Sequence, residues 1–139
     1  MRNLSPTATL DILQRCMDLF DVEVDLQVFF DCPNMKSNVV AYFQPSTTSQ
    51  CYRSNYIPEY VPMHEFFHFL SHYYGNACET ESECESFARL GEAIWLRTNG
   101  QILDFVCETC GVKPSRILFL PSGDFSCKNC GAVYNFLWG

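Results

Sequence analysis

Long apolar runs and basic residues are both scarce in this chain of 139 residues. No apolar run approaches the roughly 18–20 residues that cross a bilayer, so we expect neither a membrane span nor a membrane partner. Only 9 Lys and Arg residues oppose 16 Asp and Glu residues, which gives a net charge of −7. That acidic balance argues against a protein whose main task is to bind phosphate backbones.

The first residues of the sequence do not have the pattern expected of a secretory signal. Residues 1–5 contain one arginine and no apolar stretch, so we expect a cytoplasmic or other intracellular, reducing location. Nine cysteines in such a setting favour free thiols and metal sites over disulfides. Hydrophobic residues make up 47% of the chain and include 12 Phe, 7 Tyr and 2 Trp, enough to build a packed core. This composition argues against an intrinsically disordered chain.

The periodicity of residues 5–57 predicts the first part of an α+β fold. Apolar residues recur at three- and four-residue steps over residues 5–20, which predicts an amphipathic N-terminal helix. They are Leu10, Leu13, Met17 and Phe20. Three later segments alternate apolar and polar residues or are rich in β-forming residues, which predicts a small twisted sheet packed on this helix. These segments are residues 22–30, 38–44 and 50–57.

Two further helices are predicted after the sheet. Pro62 opens a helix that is apolar nearly all round and ends at Gly75, so its polar residues need a reason to be buried there. Another helix runs from about Thr80 to Arg97, and Thr80 with Glu83 matches a capping box.

The first of these helices contains the motif H-E-x-x-H, formed by His64, Glu65 and His68. Histidines four residues apart lie on one helix face, so both can reach a single zinc ion at about 2.0–2.1 Å. Glu65 can face the water on that ion and act as general base. The alternative is chance packing in a core helix, but a buried glutamate without a partner is costly, which favours the metal site. His72 lies about 12 Å along the axis from His64, too far to bind the same ion.

Two histidines leave a catalytic zinc one protein ligand short, and a glutamate on the next helix can supply it. Glu81 and Glu85 share a face with the small residues Ala88 and Gly91, which allow a neighbouring helix to approach closely. Glu81 is favoured as the ligand because Glu85 can then accept the second N–H of a zinc-bound histidine. If Glu85 were the ligand, the residue four positions on would be Arg89, which cannot accept that bond. Glu85 remains the alternative ligand.

Residues 5–98 resemble a known family, the gluzincin metallopeptidases, and most of all their compact versions, the minigluzincins. They are also similar to the IrrE/ImmA-like peptidases and the HtpX-type proteases. The likeness rests on H-E-x-x-H and on a second motif, Glu81-x-x-Cys84-Glu85-x-Phe87-Ala88, where those families have Ala and Asp or Asn in place of Cys84 and Glu85. It implies a zinc-dependent enzyme that hydrolyses peptide bonds of a protein or peptide substrate.

The same resemblance implies where a substrate binds. In these families an edge strand with a tyrosine and a proline precedes the active-site helix and lines the cleft. Ala41, Tyr42 and Phe43 occupy that place here, and a substrate peptide would pair with their backbone. A catalytically silent or latent protein of the same fold, serving as a binding or scaffold protein, is the alternative, but a structural site would not need Glu65.

A second metal motif lies in the tail. Two C-x2-C pairs stand 16 residues apart, and four thiolates at this spacing can form a closed tetrahedral zinc site, which is structural. The four residues are Cys107, Cys110, Cys127 and Cys130. Each pair can make a tight knuckle in which the following glycine accommodates the turn, and residues 117–120 and 133–137 supply strands of a zinc ribbon. Two disulfides or four free thiols are the alternative.

The sequence therefore predicts a catalytic domain over residues 1–104, a zinc ribbon over residues 105–139, and two zinc ions per chain. The remaining five cysteines need not pair, and two of them, Cys16 and Cys84, are predicted to lie in the core. The five are Cys16, Cys32, Cys51, Cys78 and Cys84.

A catalytic domain of this kind followed by a ribbon also resembles the SprT-like proteins, which act on proteins crosslinked to DNA. Those proteins use a downstream histidine as the third ligand, and no histidine follows His72 here. Residues 105–139 hold three basic and two acidic residues, and a tetrathiolate zinc site adds a charge of about −2. The charge of the ribbon thus gives weak support to nucleic-acid binding.

Overall fold

The computed structural model describes residues 2–74, 80–112, 115–120 and 122–137. Within these ranges three helices and two three-stranded sheets form an α+β fold, which confirms the predicted class. The helices are α1 (Pro6–Leu19), α2 (Val61–Tyr74) and α3 (Glu81–Thr98). The strands are β1 (Gln27–Phe30), β2 (Ala41–Gln44), β3 (Ser49–Tyr52), β4 (Ile117–Phe119), β5 (Phe125–Cys127) and β6 (Val133–Tyr134). None of the helices in the described ranges has the length and apolar character of a membrane span.

Helix α1 begins where the sequence predicts, because the Ser5 side chain accepts a hydrogen bond from the backbone N–H of Ala8. Of the predicted core face, Leu13 and Phe20 are buried and Met17 packs against the core. Leu10 is 46% exposed, so its placement on the core face is wrong. The buried face instead extends to neighbouring positions on the helical wheel. These further positions are Thr9, Ile12, Cys16 and Leu19.

The first sheet has the order β1-β3-β2, with β1 parallel and β2 antiparallel to β3. Strand β2 is therefore an edge strand, paired on one side with β3 in the described part of the chain. All three strands are shorter than predicted. At the start of the predicted segment 22–30, Val22 packs in the core and donates its N–H to Met17 O, which closes α1 rather than opening a strand.

The parallel pairing of β1 with β3 brings two cysteines together. Asp31 donates its N–H to Tyr52 O, and the neighbouring Cys32 and Cys51 form a disulfide with a Cα–Cα distance of 6.4 Å. The expectation that these cysteines are unpaired is wrong, because it took no account of the strand pairing. Cys16 is buried and unpaired, as predicted. Cys84 is disulfide-bonded rather than a core thiol, and Cys78 lies outside the described residues.

Helix α3 packs closely on α2. A Cβ atom added at Gly91 would lie 2.6 Å from Cγ of Phe67 and 2.9 Å from Met63 O, so this crossing requires glycine. The close approach predicted from the small residues of α3 is confirmed. Thr80 caps α3 by accepting the N–H of Glu83 at 3.2 Å, which is the Thr80 half of the predicted capping box. The predicted end of the preceding helix at Gly75 lies outside the described residues.

Strands β4, β5 and β6 form an antiparallel sheet, which we call the ribbon. The sequence did not predict β5. The Phe125 ring of β5 lies 5.9 Å from the Phe20 ring and 6.4 Å from the Phe67 ring. The Phe119 ring of β4 lies 4.8 Å from the Phe87 ring of α3. The ribbon thus shares its hydrophobic core with α1, α2 and α3, and it packs against α2 through Phe125 and against α3 through Phe119.

Candidate metal centres

His64, Glu65 and His68 lie on α2, and their ligand atoms are all within 4.8 Å of one another. The two imidazole rings are 4.9 Å apart, as their spacing of one helical turn dictates. The group could hold a metal ion. The H-E-x-x-H motif therefore forms the cluster that its spacing predicts.

A carboxylate from α3, that of Glu85, lies beside this cluster. Its Oε1 atom lies 3.5 Å from His64 Nε2, and its Oε2 atom lies 3.3 Å from His68 Nε2. Glu81, the favoured ligand in the sequence analysis, is exposed one turn earlier and lines the same cavity. The structure thus brings the alternative ligand, Glu85, to both histidines.

Glu92 is a site residue that the sequence analysis missed. Its Oε1 atom lies 2.5 Å from His64 Nδ1, in ion-pair contact rather than in regular hydrogen-bond geometry. Glu92 is thus placed to orient His64, the role that the sequence analysis gave to Glu85. Arg89, four residues after Glu85, cannot accept a hydrogen bond from a histidine, but Glu92, seven residues after Glu85, lies on the same helix face two turns away. This spacing of seven residues was the sequence signal that could have identified Glu92.

Burial and charge tune the side chains of the cluster. Glu65 Oε1 lies 4.0 Å from His64 Nε2, whereas Glu65 Oε2 is buried and has no hydrogen-bond partner among the described residues. Burial, and then the charges of Glu85 and Glu92, raise the pKa of Glu65 to about 8. Burial and the neighbouring His64 lower the pKa of His68, which favours the neutral imidazole that binds metals. A divalent cation at the histidines would oppose the shift of Glu65.

The cluster opens into a cavity of about 930 Å³. One wall consists of Ala41, Tyr42 and Phe43 of the edge strand β2, so the residues predicted to contact a substrate lie at the same cavity as the metal cluster. Cys84 and His72 also line it. The His72 ring lies 6.0 Å from the Phe43 ring, and His72 is not part of the metal cluster.

The four tail cysteines form the second cluster, with all Sγ atoms within 4.8 Å of one another. Cys107 Sγ lies 3.5 Å from Cys130 Sγ, and Cys110 Sγ lies 3.7 Å from Cys127 Sγ. All four are free thiols, so this cluster is not a pair of disulfides and could hold a metal ion.

The surroundings of the cysteine cluster suit metal binding. Gly111 and Gly131 have φ angles of 68° and 80°, and each donates its N–H at 2.8 Å to the first cysteine of its pair, forming the predicted knuckles. The Tyr134 hydroxyl lies 3.1 Å from Cys107 Sγ and lowers the pKa of that thiol to about 6. A low pKa favours the thiolate, which is the metal-binding form. Tyr134 was not among the predicted site residues.

Comparisons with protein-family models, with curated proteins and with solved structures find no match to this chain.

Proposed function

We propose that this protein is a zinc-dependent metallopeptidase that hydrolyses peptide bonds of a protein substrate. One observation carries the proposal: Glu85 lies within 3.5 Å of both His64 and His68, and Glu65 stands beside them in a cavity walled by an edge strand. A structural metal site would need neither the glutamate base nor the open strand.

The spacing of the ligand atoms supports zinc at the α2–α3 cluster. Tetrahedral ligands at 2.0–2.1 Å from zinc stand about 3.3 Å apart. Glu85 presents Oε1 at 3.5 Å from His64 Nε2 and Oε2 at 3.3 Å from His68 Nε2, close to that spacing. Two imidazoles and one carboxylate are a ligand set of catalytic zinc sites, which keep the fourth position open. We assign His64, His68 and Glu85 as the ligands.

The cysteine cluster supports a second zinc ion with a structural role. Sulfur atoms at about 2.3 Å from zinc stand about 3.8 Å apart in a tetrahedron. Two of the sulfur pairs are 3.5 and 3.7 Å apart, and all four sulfur atoms lie within 4.8 Å of one another. Four cysteines leave no open position, so this site would stabilise the ribbon.

The metal ion and Glu65 would have separate roles in catalysis. Zinc, when bound, supplies the Lewis acidity that polarises a peptide carbonyl and acidifies water. Glu65 Oε1 faces the cluster, so it is placed to take the proton from the attacking water and to pass it to the leaving amine nitrogen. The buried surroundings of Glu65, which favour its protonated form, assist the first of these transfers. Glu92 would hold the His64 ring in position.

Strand β2 would bind the substrate backbone. Its partner β3 occupies one edge, and Ala41, Tyr42 and Phe43 line the same cavity as the cluster. A peptide in extended form could add to β2 as a further strand, with its side chains alternating between cavity and solvent.

The test is the cleavage of an unfolded protein by the zinc-loaded chain and by Glu65→Gln. The expected result is cleavage by the parent chain and a loss of at least about 100-fold in the variant, because a general base contributes about 10²–10⁴-fold. Glu23→Gln, at an exposed glutamate outside the cavity, is the matched control and should cleave like the parent. Equal cleavage by Glu65→Gln would contradict the mechanism, and absence of cleavage by the parent chain would favour a binding or scaffold protein.

A further inference from the structure

Two polar side chains of β3, Gln50 and Tyr52, are completely buried. The Tyr52 hydroxyl donates to Gln50 Oε1 at 2.6 Å. The other amide atom, Gln50 Nε2, has no hydrogen-bond partner within the described ranges. Buried donors without a partner are rare in folded proteins, so this amide calls for an explanation.

These two side chains face helix α2. Phe43 of β2 stands directly opposite Gln50 in the sheet, and paired residues point to the same face. The Phe43 ring contacts the Phe69 ring of α2 at 5.9 Å, so α2 covers that face. Glu65 lies one helical turn before Phe69 on the same side of α2. Consistent with this placement, burial and then the charge of Glu65 raise the pKa of Tyr52.

The two oxygen atoms of Glu65 have different surroundings. Oε1 points to the metal cluster, 4.0 Å from His64 Nε2. Oε2 is buried and, among the described residues, has no hydrogen-bond partner. The unpartnered acceptor of Glu65 and the unpartnered donor of Gln50 are complementary, and a hydrogen bond between them would satisfy both.

We propose that Gln50 is a positioning residue for Glu65: neither atom is hydrogen-bonded in the part of the chain that the structure describes, and in the metal-loaded protein Gln50 Nε2 donates to Glu65 Oε2, while Tyr52 fixes the amide through its other end. This bond holds Oε1 toward the reacting water and keeps the carboxylate from rotating. The inference rests on the proposed function, in which Glu65 is the base. Hydrogen bonds to an ionised carboxylate are stronger than those between neutral groups, which suits a positioning role.

The hydrogen bond can be tested without any peptidase assay. The NMR signal of the Gln50 side-chain amide can be assigned because it disappears in Gln50→Met. In the zinc-loaded protein the hydrogens of this amide should exchange slowly with solvent, and Glu65→Gln should shift their NMR signal. The exposed Gln14, whose Nε2 lies 3.3 Å from Asp18 Oδ1, is the matched control. Its side-chain amide should exchange quickly, and its NMR signal should not shift in Glu65→Gln. A Gln50 amide that behaves like that of Gln14 would overturn the proposal, whether or not the protein cleaves peptides.

The kinetic test separates positioning from a merely structural role. Gln50→Met should lower kcat about 10- to 100-fold, with KM and the content of two zinc ions unchanged, since it removes a hydrogen bond to a charged group. Gln14→Met should leave kcat unchanged. Tyr52→Phe removes the hydrogen bond that fixes the Gln50 amide and should also lower kcat. This smaller change keeps the test valid if Gln50→Met does not fold.

The outcomes distinguish this inference from the proposed function. A parent chain that cleaves, together with a Gln50→Met variant of parental kcat, would refute the positioning role and leave the peptidase proposal intact. A zinc-loaded parent that does not cleave would refute the peptidase proposal, and the NMR result would then decide the hydrogen bond alone.

Discussion

The crossing of α3 over α2 at Gly91 sets the positions of Glu85 and Glu92, and Gly91→Ala perturbs it directly. The added Cβ would lie 2.6 Å from Cγ of Phe67, whereas carbon atoms normally approach to about 3.5–4.0 Å. It would also lie 2.9 Å from the backbone oxygen of Met63, which cannot turn aside as a side chain can. Helix α3 must therefore retreat by about 1 Å.

The consequences can be estimated from this displacement. Overpacking of a core lowers the free energy of unfolding by about 1–3 kcal/mol, and the better helix propensity of alanine offsets about 1 kcal/mol of that loss. We expect a net loss of about 0–2 kcal/mol in the free energy of unfolding. Glu85 and Glu92 move with α3, away from His64. We expect zinc affinity at the α2–α3 cluster to fall about 10- to 100-fold, as it does when groups around a metal are displaced.

The assay is a zinc titration against a competing chelator, combined with thermal unfolding. Ser86→Ala, on the exposed side of α3, is the control and should keep parental zinc affinity. A Gly91→Ala protein with unchanged zinc affinity would refute the reasoning that this helix crossing positions the site.

Further predictions concern the third ligand, the ribbon and the disulfide. Glu85→Gln should reduce the zinc content from two ions to one, and Glu81→Gln should keep both; metal analysis showing the reverse would make Glu81 the ligand. Phe125→Ala should cost about 3–5 kcal/mol in denaturant unfolding, because its ring lies in the core shared by ribbon and helices, and a loss under about 1 kcal/mol would contradict that packing. The double variant Cys32→Ser/Cys51→Ser should lose about 3 kcal/mol, since the bond closes a loop between residues 19 positions apart; an unchanged Tm would show that the bond contributes nothing.

Local spacing made the two metal clusters predictable. Histidines one helical turn apart share a face whatever the rest of the chain does, so His64 and His68 could be paired from the sequence. The knuckle cysteines are equally local, with glycines at Gly111 and Gly131 where the backbone has positive φ. The helix start at Thr80 follows from its own capping bond.

Features that depend on how distant elements meet could not be read in the same way. Glu92 reaches His64 only because Gly91 lets α3 lie close on α2. Cys32 and Cys51 pair because β1 runs parallel to β3, a topology that the strand patterns do not encode. Leu10 faces solvent because the core, and not the helix pattern alone, selects which face of α1 is covered.

The most direct test of the account is anomalous X-ray scattering at the zinc edge from crystals of the zinc-loaded protein. The account predicts one zinc peak bonded to His64 Nε2, His68 Nε2 and a carboxylate oxygen of Glu85, with Glu65 beside it but not bonded. A map with no zinc between the two histidines, or with Glu65 itself as a ligand, would contradict the proposed catalytic centre.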